Sequence, residues 1–172
     1  TLALALRQHG IEVELYEQTP ELREVGAAVA LSANATRFYD RIGLRSQFDE
    51  VCYSISTLIY RDGRDGRVIG RHSGEPDYEG QFGARYWGIH RADLQAILLD
   101  AVNSHAPGAL HLGKEVKEVR QDAQGVTLVF TDGGQARGDV LIGADGVHSV
   151  VRRELFDIAD GHFSGMSAWR MT

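Results

Sequence analysis

The sequence predicts an α/β fold of the doubly wound kind, Rossmann-like, incomplete at both ends and carrying antiparallel β insertions. Three observations predict it. Residues 1–10 read as the body and C-terminus of a helix and residues 11–17 alternate apolar and polar, so helix, turn and strand make the back half of a βαβ unit. Residues 139–143 are apolar without alternation, as a parallel strand covered on both faces requires, and Gly143, Ala144, Asp145 and Gly146 join them to a helix. Between the two, Leu94, Ile97, Leu98, Ala101 and Val102 recur at helical spacing, the stripe of a helix packed on a sheet.

Each element has a local cause. Gly10 closes the first helix, and Thr19-Pro20 stops the strand that follows. Residues 21–30 form a connection rich in glycine and alanine, and Ser32 and Asn34 offer capping oxygens to a helix over 35–42 that Gly43 ends. Residues 57–61 and 67–70 flank an Asp-Gly turn at 62–66 and predict a hairpin, part of an insertion near 55–85. A loop at 72–81 follows, and the long helix then runs from His90-Arg91 to Pro107-Gly108. Strands at 115–120 and 126–130 lead through Asp132-Gly133-Gly134 to the apolar strand at 139–143, and a helix covers about 147–155. Residues 1–160 are expected to form one partial domain, with 161–172 opening a second.

Composition excludes several function classes. The 172 residues are 43% hydrophobic, enough for a core, and the net charge of −6 has no long basic run, so a nucleic-acid partner is not expected. Cys52 is the only cysteine, which rules out a disulfide framework or a CxxC pair and fits a buried, inert thiol in a reducing cytosol. The longest uncharged apolar run, residues 1–6, is far below the roughly 18 residues of a membrane span, so the protein is read as soluble and cytoplasmic. His9, His72, His105, His111, His148 and His162 are scattered without ligand spacing, so no metal is expected, and Tyr86-Trp87 reads as core packing.

Three places carry chemistry. Glu17 stands at the tip of a strand, where an acid in such a sheet can accept from ribose hydroxyls, although a solvated strand-end carboxylate is the simpler reading. Asp145 and Gly146 form a corner between a buried strand and a helix, suited to backbone contact with phosphate and ribityl oxygens; the simpler reading of Asp145 is a helix cap. Arg91 could present its planar fork to a pyrophosphate or a flavin, or serve as an ordinary surface cation.

Four blocks, residues 14–20 (ELYEQTP), 22–34 (LREVGAAVALSAN), 90–94 (HRADL) and 138–149 (GDVLIGADGVHS) with Arg152, together resemble the FAD-dependent aromatic-ring monooxygenases of the p-hydroxybenzoate hydroxylase and salicylate hydroxylase type. The resemblance implies an internal fragment of the FAD-binding domain, lacking the first strand and its glycine-rich loop, with residues 161–172 beginning a substrate-binding β-sheet. It implies FAD as cofactor, NADH or NADPH as co-substrate, O2, and a small phenolic or heteroaromatic acid, salicylate-like or hydroxynicotinate-like, as the molecule hydroxylated. By the same resemblance Glu17 is the ribose-binding acid, Arg91 the flavin-contacting arginine and Asp145 the acid beside the pyrophosphate. Val116 matches a backbone contact to adenine, and Val25 and Gly26 the stretch that passes close to the flavin. Ala28 stands where the family usually has glycine. No residue of this chain is expected to be the catalytic base. Rival readings are another flavin reaction on the same fold, such as epoxidation, halogenation or reduction, and a non-catalytic remnant.

Overall fold

The computed structural model describes residues 1–22, 27–73, 77–158 and 161–167. In chain order they form α1 (Leu2–Gln8), β1 (Leu15–Tyr16), β2 (Ala28–Leu31), α2 (Ala33–Arg41), α3 (Arg45–Val51), β3 (Tyr53–Ser54), β4 (Thr57–Arg61), β5 (Val68–Ser73) and α4 (Tyr78–Phe82). The remainder are β6 (Trp87–His90), α5 (Arg91–His105), β7 (Leu110–His111), β8 (Val116–Asp122), β9 (Gly125–Phe130), β10 (Gln135–Gly138) and α6 (Val150–Phe156). The chain divides into two units, one from residues 1–13 and 23–109, the other from 14–22 and 110–169, each considered over its described residues.

In the first unit β6 lies between β2 and β3, antiparallel to both. Aromatic packing closes this core. Phe48 is fully buried, stacked on Tyr39 at 4.4 Å between ring centroids and on Trp87 at 5.7 Å. Thr36, also buried, satisfies its hydroxyl on the Arg85 carbonyl at 2.7 Å. The helix α5 forms as its spacing predicts, but it packs against α1 and α3 as well as β6, so its apolar stripe meets helices more than a sheet. Ala92, Ala101 and Val102 are its buried positions, small residues that let another helix approach. The hairpin β4–β5 is antiparallel with Leu58 opposite His72, and Asp62 organises its turn by accepting from the Arg64 amide at 2.9 Å.

The second unit is built on the antiparallel sheet β10-β9-β8, with β1 and β7 paired in parallel. Burial along β9 alternates strictly, as its period-two sequence requires. Val119, Val126, Leu128, Phe130 and Val151 form the core, with Tyr16, Val116, Leu141 and Leu155 packed against it.

Several expectations are corrected. Residues 11–17 supply only the two-residue β1, and Ile11 is half exposed. The connection at 21–30 holds most of β2, and the loop at 72–81 holds the end of β5 and most of α4. Residues 139–143 form no strand: Leu141 packs inward while Val140 and Ile142 are 78% and 60% exposed. An apolar segment becomes a central strand only where strands flank it, and no described residue pairs with this one. No helix among the described residues is long and apolar enough to cross a membrane.

Candidate functional site

Glu17, Val116, Asp145 and Gly146 belong to the second unit and Arg91 to the first; Val25 and Gly26 lie outside the described residues. Each position is built by its own local chemistry.

Glu17 extends the parallel ladder of β1, its amide donating to the His111 carbonyl at 2.9 Å and its carbonyl accepting from Lys114 N at 2.8 Å. These two bonds set it beside the β7–β8 connection that leads to Val116, the first residue of β8, where a bulge interrupts the ladder before Glu118. The Glu17 side chain is half-buried, and Oε1 accepts from the Thr19 amide at 2.9 Å and the Thr19 hydroxyl at 3.1 Å. Its Oε2 accepts nothing from the described residues and is open to a further donor. Around it, Tyr16 stacks on His111 at 5.0 Å, and both hold Glu14 by hydrogen bonds.

The corner at Asp145 is more tightly made than its sequence suggests. Asp145 Oδ1 accepts from the Ser149 hydroxyl at 2.5 Å, and Oδ2 accepts from the amides of Val150 at 2.7 Å and Val151 at 3.1 Å. Ser149 in turn accepts from the Arg152 amide at 3.0 Å as the N-cap of α6. The helix therefore begins at Val150, three residues later than expected, and its first amide donors are satisfied inside the chain. Burial opposes the charge on Asp145, but the Ser149 hydroxyl and the Val151 and Val150 amides outweigh it and hold the carboxyl below its ordinary range. Gly146 has φ +80°, a conformation that side chains with a Cβ disfavour, and a Cβ there would meet nothing within 4 Å. Gly143 has a different reason to be glycine, since its small size accommodates Val151.

Arg91 opens α5 directly after β6, and its amide donates to the Ala27 carbonyl at 3.2 Å. Because Ala28 also pairs with His90, the residues that follow Val25 and Gly26 are tied to the strand end that carries Arg91. The Arg91 side chain is exposed and makes no ion pair or hydrogen bond among the described residues. By contrast, Arg45 and Arg85 are engaged with Asp40, Asp49 and Glu79.

The other candidates carry structure. Cys52 is half-buried, not buried, and that burial, with Asp49 and Asp93, pushes its thiol up to about 11, so thiolate is scarce at neutral pH. Trp87 is buried as expected, whereas Tyr86 stacks on Tyr78. A cavity of about 130 Å³ lined by Leu4, Arg7, Ile42 and His105 holds no candidate residue and is too small for a dinucleotide. Sequence reasoning missed Ser149 and Thr19. Ser149 had a signal, a hydroxyl residue directly before a helical run, which is the usual N-cap.

Residues 1–168 match a family described as FAD binding domain. The 3-amino-4-hydroxybenzoate 2-monooxygenase of Streptomyces cremeus is 37% identical over 155 residues, 90% of this chain and 39% of that protein. The FAD-dependent urate hydroxylase of Klebsiella pneumoniae is 36% identical over 150 residues, 87% of this chain and 38% of that protein. The crystal structure of Klebsiella pneumoniae HpxO complexed with FAD and uric acid superposes with a TM-score of 0.72 at 32% identity, covering 88% of this chain and 37% of the other. The chain thus spans less than two fifths of the length of these relatives.

Proposed function

This chain belongs to the FAD binding domain family, and from that premise we propose that it is the flavin-binding part of a monooxygenase that hydroxylates a phenolic or heteroaromatic acid with NADH or NADPH and O2. The observation that carries the proposal is the match of one stretch of chain to relatives named for oxygenation of a ring compound, one a benzoate and the other urate.

The residues fit such a cofactor. Glu17 Oε2 is open to ribose hydroxyls, the Arg91 guanidinium is unpaired among the described residues and suits a pyrophosphate or a flavin edge, and space stands open beside Gly146. Val116 is proposed as the backbone contact to adenine, Val25 and Gly26 as the stretch nearest the flavin, and Asp145 and Gly146 as the corner beside the diphosphate and ribityl chain. Bound FAD supplies the electron and oxygen chemistry; these residues bind it, orient it and place charge against its phosphates. Residues 161–172 are proposed as the start of the sheet that receives the substrate.

The test is substrate-dependent turnover by the full-length protein. With hydroxybenzoates, hydroxynicotinate and urate offered in turn, one of them should accelerate NADH or NADPH oxidation and O2 uptake, with a product heavier by one oxygen atom. Nicotinamide oxidation indifferent to every aromatic acid, or a product gaining halogen or losing a double bond, contradicts the proposal.

A further inference from the structure

The cavity between α1, α5 and the junction of α2 with α3 lies within the first unit and holds none of the residues assigned to the flavin. Its floor is aliphatic: Leu4 of α1, Ile42 and Leu44 of the junction, and Ala101 of α5 line it, and all four are buried. The space exists because the Ala101 side chain ends at Cβ, where a longer one would fill the gap between the helices. An apolar cavity of about 150 Å³ accommodates benzene, so the 130 Å³ here suits a compact body of that size or smaller, such as a branched alkyl group.

The polar wall of the same cavity is cationic. Arg7, in the last turn of α1, is half-buried, and its guanidinium makes no ion pair or hydrogen bond among the described residues. The other half-buried arginines and lysines among the described residues are all engaged: Arg45 and Arg85 with Asp49 and Glu79, Lys114 with Asp132, and Arg152 with the Val147 carbonyl. Partial burial of a guanidinium without a partner costs free energy that an anion beside it would recover. No described carboxylate lines the cavity to play that part. Gln8 adds an amide donor, and the His105 ring closes the wall with its Nδ1 committed to the Ala101 carbonyl at 2.8 Å. The nearby helix ends do little to oppose an anion, because their carbonyls are already engaged. The Leu6 carbonyl accepts from the His9 and Ile11 amides, the Arg7 carbonyl from Gly10 and the Val102 carbonyl from Ala106.

We propose that this cavity binds a small carboxylate with a compact apolar body. The alkyl group rests on Leu4, Ile42 and Leu44, and the carboxylate pairs with the Arg7 guanidinium. Arg7 sets the preference for an anion and Ala101 sets the size. The site is separate from the flavin reading and stands independently of it.

The test uses the full-length protein as purified and isovalerate as the probe, an aliphatic acid without a ring to enter an aromatic site. Calorimetric titration should show saturable binding, with isovaleramide, the uncharged counterpart, about tenfold weaker or more. R7M keeps the aliphatic stem and removes the charge, and it should weaken isovalerate by about tenfold, the loss of a charge-assisted hydrogen bond. Its flavin content should match that of the wild type. A101L fills the cavity and should abolish binding, and R7M carries the test where A101L fails to fold. Absence of saturable binding to the wild type, equal affinity for the amide, or undiminished affinity in R7M or in folded A101L overturns the assignment. Loss of flavin from R7M also overturns it, since the cavity would then belong to the flavin site.

Discussion

A Cβ placed on Gly143 would stand 2.9 Å from the Cβ of Val151. Val151 is 8% exposed and sits in the core of the second unit, so neither partner can retreat without opening a gap. Gly143→Ala should therefore destabilise the protein by about 1 to 3 kcal/mol through overpacking, read as a lower urea midpoint. An unchanged midpoint would show that α6 can shift to make room.

In the first unit, Phe48 carries the aromatic core between Tyr39 and Trp87. Phe48→Ala should cost about 3 to 5 kcal/mol, since the stack leaves a cavity that the sheet cannot close. A loss below about 1 kcal/mol would mean that Tyr39 and Trp87 collapse onto each other.

Arg91 has no described side-chain partner to lose, so its replacement should leave the stability of the flavin-free protein alone while weakening FAD retention. Arg91→Lys should cost about 1.5 kcal/mol or more of binding, because an ammonium cannot reproduce the two-pronged fork. Equal FAD affinity in the lysine variant would show that a point charge is sufficient.

Asp145 makes an acid-dependent contribution. Its folded carboxyl titrates below the ordinary 3.8, because the hydrogen bonds it accepts outweigh burial, so its stabilisation is complete above that value and is lost as pH falls through the folded one. Asp62, Glu79, Glu118, Asp122 and Asp132 are shifted the same way and add to the same acid limb. Stability should fall below about pH 4. Asp145→Asn should give a shallower fall there, and parallel curves would contradict the capping role.

Replacing Asp145 by Ala should also weaken FAD retention by about 1 to 3 kcal/mol, against no change for Asp100→Ala. Asp100 is the control because it is exposed on α5. Equal retention by both variants would remove Asp145 from the site.

Elements with strong local causes were legible in the sequence. The hairpin at 57–73 follows from its Asp-Gly turn, α5 from its stripe, and β9 from its alternation. The β2 strand was not, because alanine-rich residues carry little β preference and Ala28 to Leu31 owe their extension to pairing with β6. Residues 139–143 carry the pattern of a buried strand without the flanking strands that would make one, since periodicity reports a segment's preferred surroundings and not whether they are present. At the candidate site, residue type and spacing proposed Glu17, Arg91 and Asp145. Which oxygens remain open was not readable, because Thr19 and Ser149 claim them only once the turns close.

The most direct test of the account is the flavin content of the full-length protein purified without denaturation. It predicts a yellow protein that releases FAD on unfolding, about one per chain as a single dinucleotide site requires. A colourless protein that takes up no added FAD would contradict it.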